Sequence, residues 1–274
     1  MDSILYHYTG YVALDGILRS SELRLNNVLN MNDAEEMRLF MNGVCRCVTD
    51  RLRAEGMPRL AEEAEQLFAT ELQREFRYSA YAACFSHRKD DAAQWERYGR
   101  AGRGVCIGFS REALKKLTTG ALSLEQVYYQ SDMSGHPLID TFVRAMQLPE
   151  PRRRLVLRRA LDEAWTSSAA FKHPSFFSED EVRLVVTPFQ IAYFQVQPQY
   201  HVTEDRIKKF YPLNLRELCG EAGISLEELI VEIVIGPQST QSPPIMRDYL
   251  QSLQLPILAE HVTVSECPLR SVVR

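Results

Sequence analysis

Glu179-Asp180-Glu181-Val182-Arg183-Leu184-Val185-Val186 is the stretch on which the reading of the fold turns. Successive side chains of a strand point to opposite faces. On a strand, Val182, Leu184 and Val186 therefore line one side, and Glu179, Glu181 and Arg183 the other. Two carboxylates and a guanidinium on one face are either a solvated sheet surface or the wall of a pocket, and the pattern alone leaves both open. Upstream, residues 138–171 carry helical spacing interrupted near Pro149 and Pro151, and Gln126 to Tyr129, Val105 to Phe109 and Tyr81 to Ser86 read as strands. Asp91 to Tyr98 reads as a short helix, and residues 35–78 as two helices broken at Gly56-Met57-Pro58. The chain opens on a strand from Ile4 to Thr9, then a helical pattern at Val12, Leu14, Ile17 and Leu18, then extended Leu23-Arg24-Leu25. Downstream come strands at Ile191 to Val196, Leu229 to Ile235 and Val262 to Val264, with a helix near Met246 to Leu253. Strands and helices mix without a βαβα rhythm, which predicts an α+β fold and argues against a doubly wound parallel sheet. We read residues 1–274 as one domain with helical insertions at roughly 35–78 and 138–171.

Composition narrows the class. The 274 residues are 45% hydrophobic and 25% charged, a globular mix that excludes disorder and collagen-like repeats. Thirty-six acids against 32 bases give a net charge of -4, so no global field marks a nucleic-acid or membrane partner. Six scattered cysteines suggest a reduced setting, and neither a signal peptide nor a spanning run is apparent. The expected location is cytoplasmic.

Familiar motifs are missing. Gly102-Arg103-Gly104-Val105-Cys106-Ile107-Gly108 has the spacing G-x-G-x-x-x-G and precedes a strand, so it lacks the phosphate-cradling context of a dinucleotide turn. No P-loop, nucleophile elbow or H-E-x-x-H is found. Cys45 and Cys47 diverge on a helix and cannot share a metal. Cys84 and His87 could form a thiolate–imidazole pair, but a buried strand cysteine beside a loop histidine is the plainer reading. No metal is expected.

Three polar placements stand out. His7 and Thr9 share one face of the first strand, facing either a cleft or a sheet edge. Ser86 ends a strand just before a helix that Asp90 or Asp91 caps and that carries Trp95 and Tyr98. Glu179, Glu181 and Arg183 form the third group, and a carboxylate held near Arg stays ionised, as required of a group that stabilises a developing cation.

Taken in order, these residues resemble a widespread bacterial family catalogued as a domain of unknown function. The likeness rests on Tyr6-His7-Tyr8-Thr9, Asn32-Asp33-Ala34-Glu35, Phe85-Ser86 with Trp95 and Tyr98-Gly99, Gly104 to Phe109, Phe171-Lys172, Glu179 to Arg183, Gly236-Pro237, and Ser265 with Arg270. That layout is in turn similar to the ADP-ribosyltransferase fold. The resemblance implies two small mixed β-sheets forming a cleft flanked by helices, with NAD as substrate. It further implies that His7, Thr9, Ser86, Tyr98 and Arg183 bind NAD and that Glu181 or Glu179 is the catalytic carboxylate. The implied reaction cleaves the nicotinamide–ribose bond through an oxocarbenium-like centre and modifies a macromolecular acceptor, protein or nucleic acid, as a toxin or phage-defence effector would. Cys84-Phe85-Ser86 stands where the arginine-specific branch has Ser-Thr-Ser, so the acceptor stays open.

Two alternatives belong beside this expectation. One is a non-catalytic nucleotide or nucleic-acid sensing module. The other is a metal-dependent hydrolase or nuclease built on Asp33, Glu35 and Glu36, which a helix cap explains as well. Arg152-Arg153-Arg154-Leu155-Val156-Leu157-Arg158-Arg159 places five arginines in eight positions of a helix, either as a phosphate-contacting face or as a balanced surface helix.

Overall fold

Each strand of alternating or continuous apolar residues finds a partner, and one of them, Tyr81–Ser86, finds three. The computed structural model describes residues 3–31, 36–74, 80–118, 122–187, 197–203 and 206–269. Its strands are β1 (Ile4–Thr9), β2 (Glu22–Asn27), β3 (Tyr81–Ser86), β4 (Val105–Ser110), β5 (Ser123–Gln126), β6 (Tyr128–Tyr129), β7 (Phe171–Lys172), β8 (Glu181–Val186), β9 (Gln199–Val202), β10 (Ile207–Asn214), β11 (Ile230–Ile235) and β12 (Val262–Val264). The helices are α1 (Tyr11–Arg19), α2 (Glu36–Ala54), α3 (Pro58–Leu72), α4 (Ala92–Arg97), α5 (Arg111–Leu117), α6 (Pro137–Met146), α7 (Arg152–Ser168), α8 (Leu215–Ala222), α9 (Leu226–Leu229), α10 (Pro243–Ser252) and α11 (Pro256–Glu260). Their ends follow local chemistry. Asp91 accepts the Ala93 and Gln94 amides at the start of α4, Asn214 caps α8, and Gly223 in a left-handed conformation closes it.

The strands form one ten-stranded mixed sheet of order β12-β11-β4-β1-β3-β2-β10-β9, with β8 on the other edge of β3 and β5 beyond β8. β6 and β7 make a separate parallel ribbon. The α+β class is therefore as read, but the expectation of two small sheets is corrected. β3 is bonded along both edges and ties the two halves into one. All six of its residues pair with β8. Its opposite edge is shared, Ser86 pairing with Tyr6 of β1, and Ala82 and Tyr81 with Asn26 and Asn27 of β2. Between those contacts the sheet forks, and the His7 imidazole fills the fork by contacting the Cys84 carbonyl through Nδ1 at 2.8 Å.

Helices cover both faces. On one, Leu5, Phe85, Phe109, Leu184 and Ile233 pack with Leu14 and Leu18 of α1, Leu114 of α5, Leu218 of α8 and Leu250 of α10. On the other, α2, α3, α6 and α7 join in a single helical layer. Phe40, Val44, Phe68, Phe142 and Trp165 from these helices close over Ala82 and Val185. The two helical stretches expected near 35–78 and 138–171 thus build one core between them. A smaller cluster on the same face sets Trp95 of α4 against Tyr6, Tyr8, Cys106 and Val234.

Some boundaries moved. The strand read at Gln126 to Tyr129 divides at Val127, because Gln126 pairs with β8 while Tyr128 pairs with Phe171. The hairpin of β9 and β10 was not read, since Lys208, Lys209 and Pro212 obscure its alternation. The strand expected at Ile191 to Val196 lies outside the described residues. No described helix is long and apolar enough to cross a membrane.

Gly104 sits where no side chain fits, because an added Cβ would stand 2.1 Å from the Thr9 carbonyl oxygen and 3.0 Å from that of Gly99. Both obstacles are backbone and cannot swing aside. Gly104→Ala should therefore cost about 1–3 kcal/mol by overpacking, seen as a lower urea midpoint at unchanged slope.

Candidate functional site

The polar side of β8 is neither a solvated surface nor an open pocket wall. All six residues of the strand are buried, and the charged ones join a chain of ion pairs. Glu181 lies opposite Ser86 and Arg183 opposite Cys84 in the β3–β8 ladder. Two residues apart on one strand face, Glu181 and Arg183 meet in a bidentate pair, with Nε to Oε1 at 2.8 Å and Nη2 to Oε2 at 3.1 Å. The third guanidinium nitrogen, Nη1, donates to the Ala169 carbonyl at 2.8 Å.

Glu179 reaches the same place by a different route. It ends the 3₁₀ turn Pro174–Glu179 and is not on the strand, which corrects the expected three-residue face. Asp180 follows in a left-handed conformation (φ 47°, ψ 57°), which an aspartate tolerates better than most residues, and this reverses the chain. Both carboxylates consequently converge on Lys172 of β7, with Nζ 2.6 Å from Glu179 Oε2 and 3.3 Å from Glu181 Oε2. The turn is held by Ser86 Oγ and Gln94 Nε2, which donate to the Glu179 carbonyl at 2.6 and 3.1 Å. From the end of α4, Tyr98 donates its hydroxyl to Glu179 Oε1 at 2.7 Å, and Arg97 Nη1 lies 3.2 Å from the same oxygen.

Exposure decides what this cluster can do. Arg183 is 0% exposed, Lys172 3%, Glu179 4% and Glu181 5%, while the Arg97 side chain at the rim is 45% exposed. Two anions and two cations balance in the interior. Burial pushes the Glu181 carboxyl up, but Arg183 and Lys172 outweigh it and hold the group at about 2. Burial, with Glu181 nearby, keeps the Cys84 thiol protonated well above its ordinary range. His87 turns to Gln126 at 3.1 Å, so the thiolate–imidazole pair is not formed. Burial and Glu179 likewise raise Tyr98, leaving a neutral donor.

The residues expected to surround NAD therefore fall into two groups. Ser86, Tyr98, Glu179, Glu181 and Arg183 come together. His7 and Thr9 do not join them, because Tyr6 is the residue that shares a face with Ser86 and Glu181, and its neighbours point the other way. The His7 ring packs at 5.8 Å from Phe85 on that other side. An imidazole and an acid converging on one hollow is thus corrected to two sets separated by the sheet. His7 and Thr9 each keep partial exposure. With Nδ1–H donated to a carbonyl and burial lowering its pKa, His7 is neutral and its Nε2 is an acceptor.

The sequence reading missed Lys172 as a partner of both carboxylates, along with Arg97, Gln94 and Tyr129, whose hydroxyl accepts the Glu181 amide at 2.8 Å. A lysine directly after Ala169-Ala170-Phe171 was the available signal, because an ammonium in an apolar run needs a buried counter-charge. Asn32-Asp33-Ala34-Glu35, the side chain of Glu36, and Arg270 lie outside the described residues. Among the described residues no three His, Cys, Asp or Glu side chains group as a metal site.

The buried ion pairs make stability depend on pH. A carboxyl at about 2 in the fold and 4.5 unfolded contributes about 3 kcal/mol above pH 4.5, lost as pH falls towards 2. Lys172→Met should cost about 3–5 kcal/mol, because it leaves two buried carboxylates with Arg183 as their one fully buried cation among the described contacts. It should also move the onset of acid unfolding to higher pH, as urea titrations across that range will read.

No curated protein and no solved structure matches the chain. One family model does match, over α4 to β8, a third of the chain that carries Gln94, Arg97, Tyr98, Lys172, Glu179, Glu181 and Arg183 but not His7, Thr9 or Ser86. Residues 94–184, and with them the charged members of the buried cluster, are thereby similar to the family described as Protein of unknown function (DUF2971).

Proposed function

We propose that this chain is a nucleotide-recognition module that holds its ligand at the fork beside β1 without cleaving it. The supporting observation is the state of the carboxylates. Stabilising an oxocarbenium-like centre requires an ionised oxygen facing the sugar. Both oxygens of Glu181 and both of Glu179 are instead engaged by Arg183, Lys172, Tyr98 and Arg97 inside the protein. They are built as structure. His7 and Thr9 are partly exposed as residues, and the imidazole nitrogen left over from the Cys84 contact and the Thr9 hydroxyl are uncharged groups suited to hydrogen-bonding ribose hydroxyls. NAD is the first ligand to try, on the strength of the resemblance to ADP-ribosyltransferases.

Cleavage of NAD, with transfer to a protein or nucleic acid as a toxin or defence effector would perform it, is the second reading. Its support is Arg97, a half-exposed partner of Glu179 at the rim of the buried cluster. Withdrawal of that one side chain would bring a carboxylate to the surface.

One experiment separates the two. Under the binding reading, NAD at a hundredfold excess over Kd stabilises the protein by about 2.7 kcal/mol, and no nicotinamide is released. His7→Gln, which can still donate to the Cys84 carbonyl, should lose that stabilisation with the fold intact. Nicotinamide release that survives purification, and that Glu179→Gln abolishes, would overturn the binding reading in favour of turnover. No response to NAD or to other purine nucleotides would overturn both.

A further inference from the structure

Only Arg153 of the arginine run makes a close side-chain contact within the described residues. α7 turns Leu157, Ala160, Leu161, Ala164 and Trp165 inward to the helical layer. Arg152, Arg154, Arg158 and Arg159 are exposed on its other side, around Leu155 at 56% exposure. Arg153 pairs with Glu63 of α3, whereas these four make no hydrogen bond or close ion pair to any described residue, and only Arg158 has a carboxylate, Asp162, within electrostatic reach one turn on. Their placement works against the helix itself. α7 has no acidic residue in its first turn, so these cations add to the positive end of the helix dipole. Arg154 and Arg158 are also like charges one turn apart. Intramolecular stability gives no reason for such a face, and an anionic partner does.

We propose that this half of α7 docks on the phosphate backbone of a nucleic acid through Arg152, Arg154, Arg158 and Arg159, without reading base sequence. Guanidinium groups bind phosphate in a bidentate fork. Four of them spread over two helical turns, about 10 Å, can reach several phosphates at once. From Arg152 to Arg159 the exposed residues are arginines and one leucine, so the face is a row of like cations suited to backbone phosphates, with none of the mixed donors and acceptors that read several different base edges. A single leucine among four arginines also lacks the aromatic or broad apolar surface that an interfacial membrane helix buries. The chain as a whole carries a net charge of -4, so the attraction is local to this face and not a property of the whole molecule.

The test is fluorescence anisotropy of the full chain with two labelled duplexes of equal length and unrelated sequence. Both should bind alike at about 50 mM salt, and affinity should fall about 100-fold by about 200 mM, as expected for roughly four neutralised phosphates. Arg154→Gln/Arg158→Gln should reduce the salt slope by about 2 and weaken binding at the lower salt at least tenfold. Its melting temperature should not fall, because the substitution removes a like-charge pair and keeps good helix formers. The proposal is overturned by no binding at low salt or by equal affinity of the double variant. Tighter binding of anionic phospholipid vesicles or polyglutamate than of duplex at matched salt also overturns it.

Discussion

Two carboxylates, a lysine and an arginine removed from water in one place are the constraint around which this molecule is arranged. Each ion alone would be costly to bury, and the set is tolerable because every charge meets an opposite one at hydrogen-bond distance. Its members come from β7, β8 and the turn between them, with Arg97 and Tyr98 added from α4. The charged cluster lies on the sheet face that also carries the four-helix layer and the smaller Trp95 cluster. It is a polar seam between two apolar packings. A neutral replacement of any one member upsets the balance of buried charge, so the seam tolerates little variation.

That role limits what the same residues can do chemically. A catalytic carboxylate must have a free lone pair directed at substrate, whereas Glu181 spends its oxygens on Arg183 and Lys172. Depression of its pKa reflects structural pairing here, a reminder that a perturbed titratable group marks a functional site only when it also faces a cleft. The fork between β1 and β2 on one edge of β3 is a different kind of place. The sheet leaves a carbonyl for a side chain to satisfy, and the imidazole that satisfies it keeps its second nitrogen for something else.

The helical layer has an inner and an outer use. Inside, residues from two stretches far apart in the chain share one core, with Phe68 of α3 against Phe142 of α6 at 4.9 Å. Outside, α7 displays four exposed guanidinium groups without a close ion pair among the described residues. Seam and arginine face are independent, one fixed by burial and the other by its absence.

Much of the architecture is legible in local pattern. Period-two alternation located β1, β3, β4, β8 and β11 to within a residue or two, and Gly56-Met57-Pro58 and Asp91 marked helix ends as their backbone chemistry requires. Local pattern also brought Glu181 and Arg183 to one side of a strand, because that follows from pleat geometry alone. It could not say which side of the sheet His7 would share with them. That depends on the register of Tyr6 against Ser86, a contact 80 positions apart in the chain. Nor could it place Glu179 off the strand, which rests on one left-handed residue, or match Lys172 to both carboxylates. Period and capping are properties of neighbouring residues and are written in the sequence. Which charges are buried together, and on which face, is set by pairing between distant strands, and only the tertiary structure decides it.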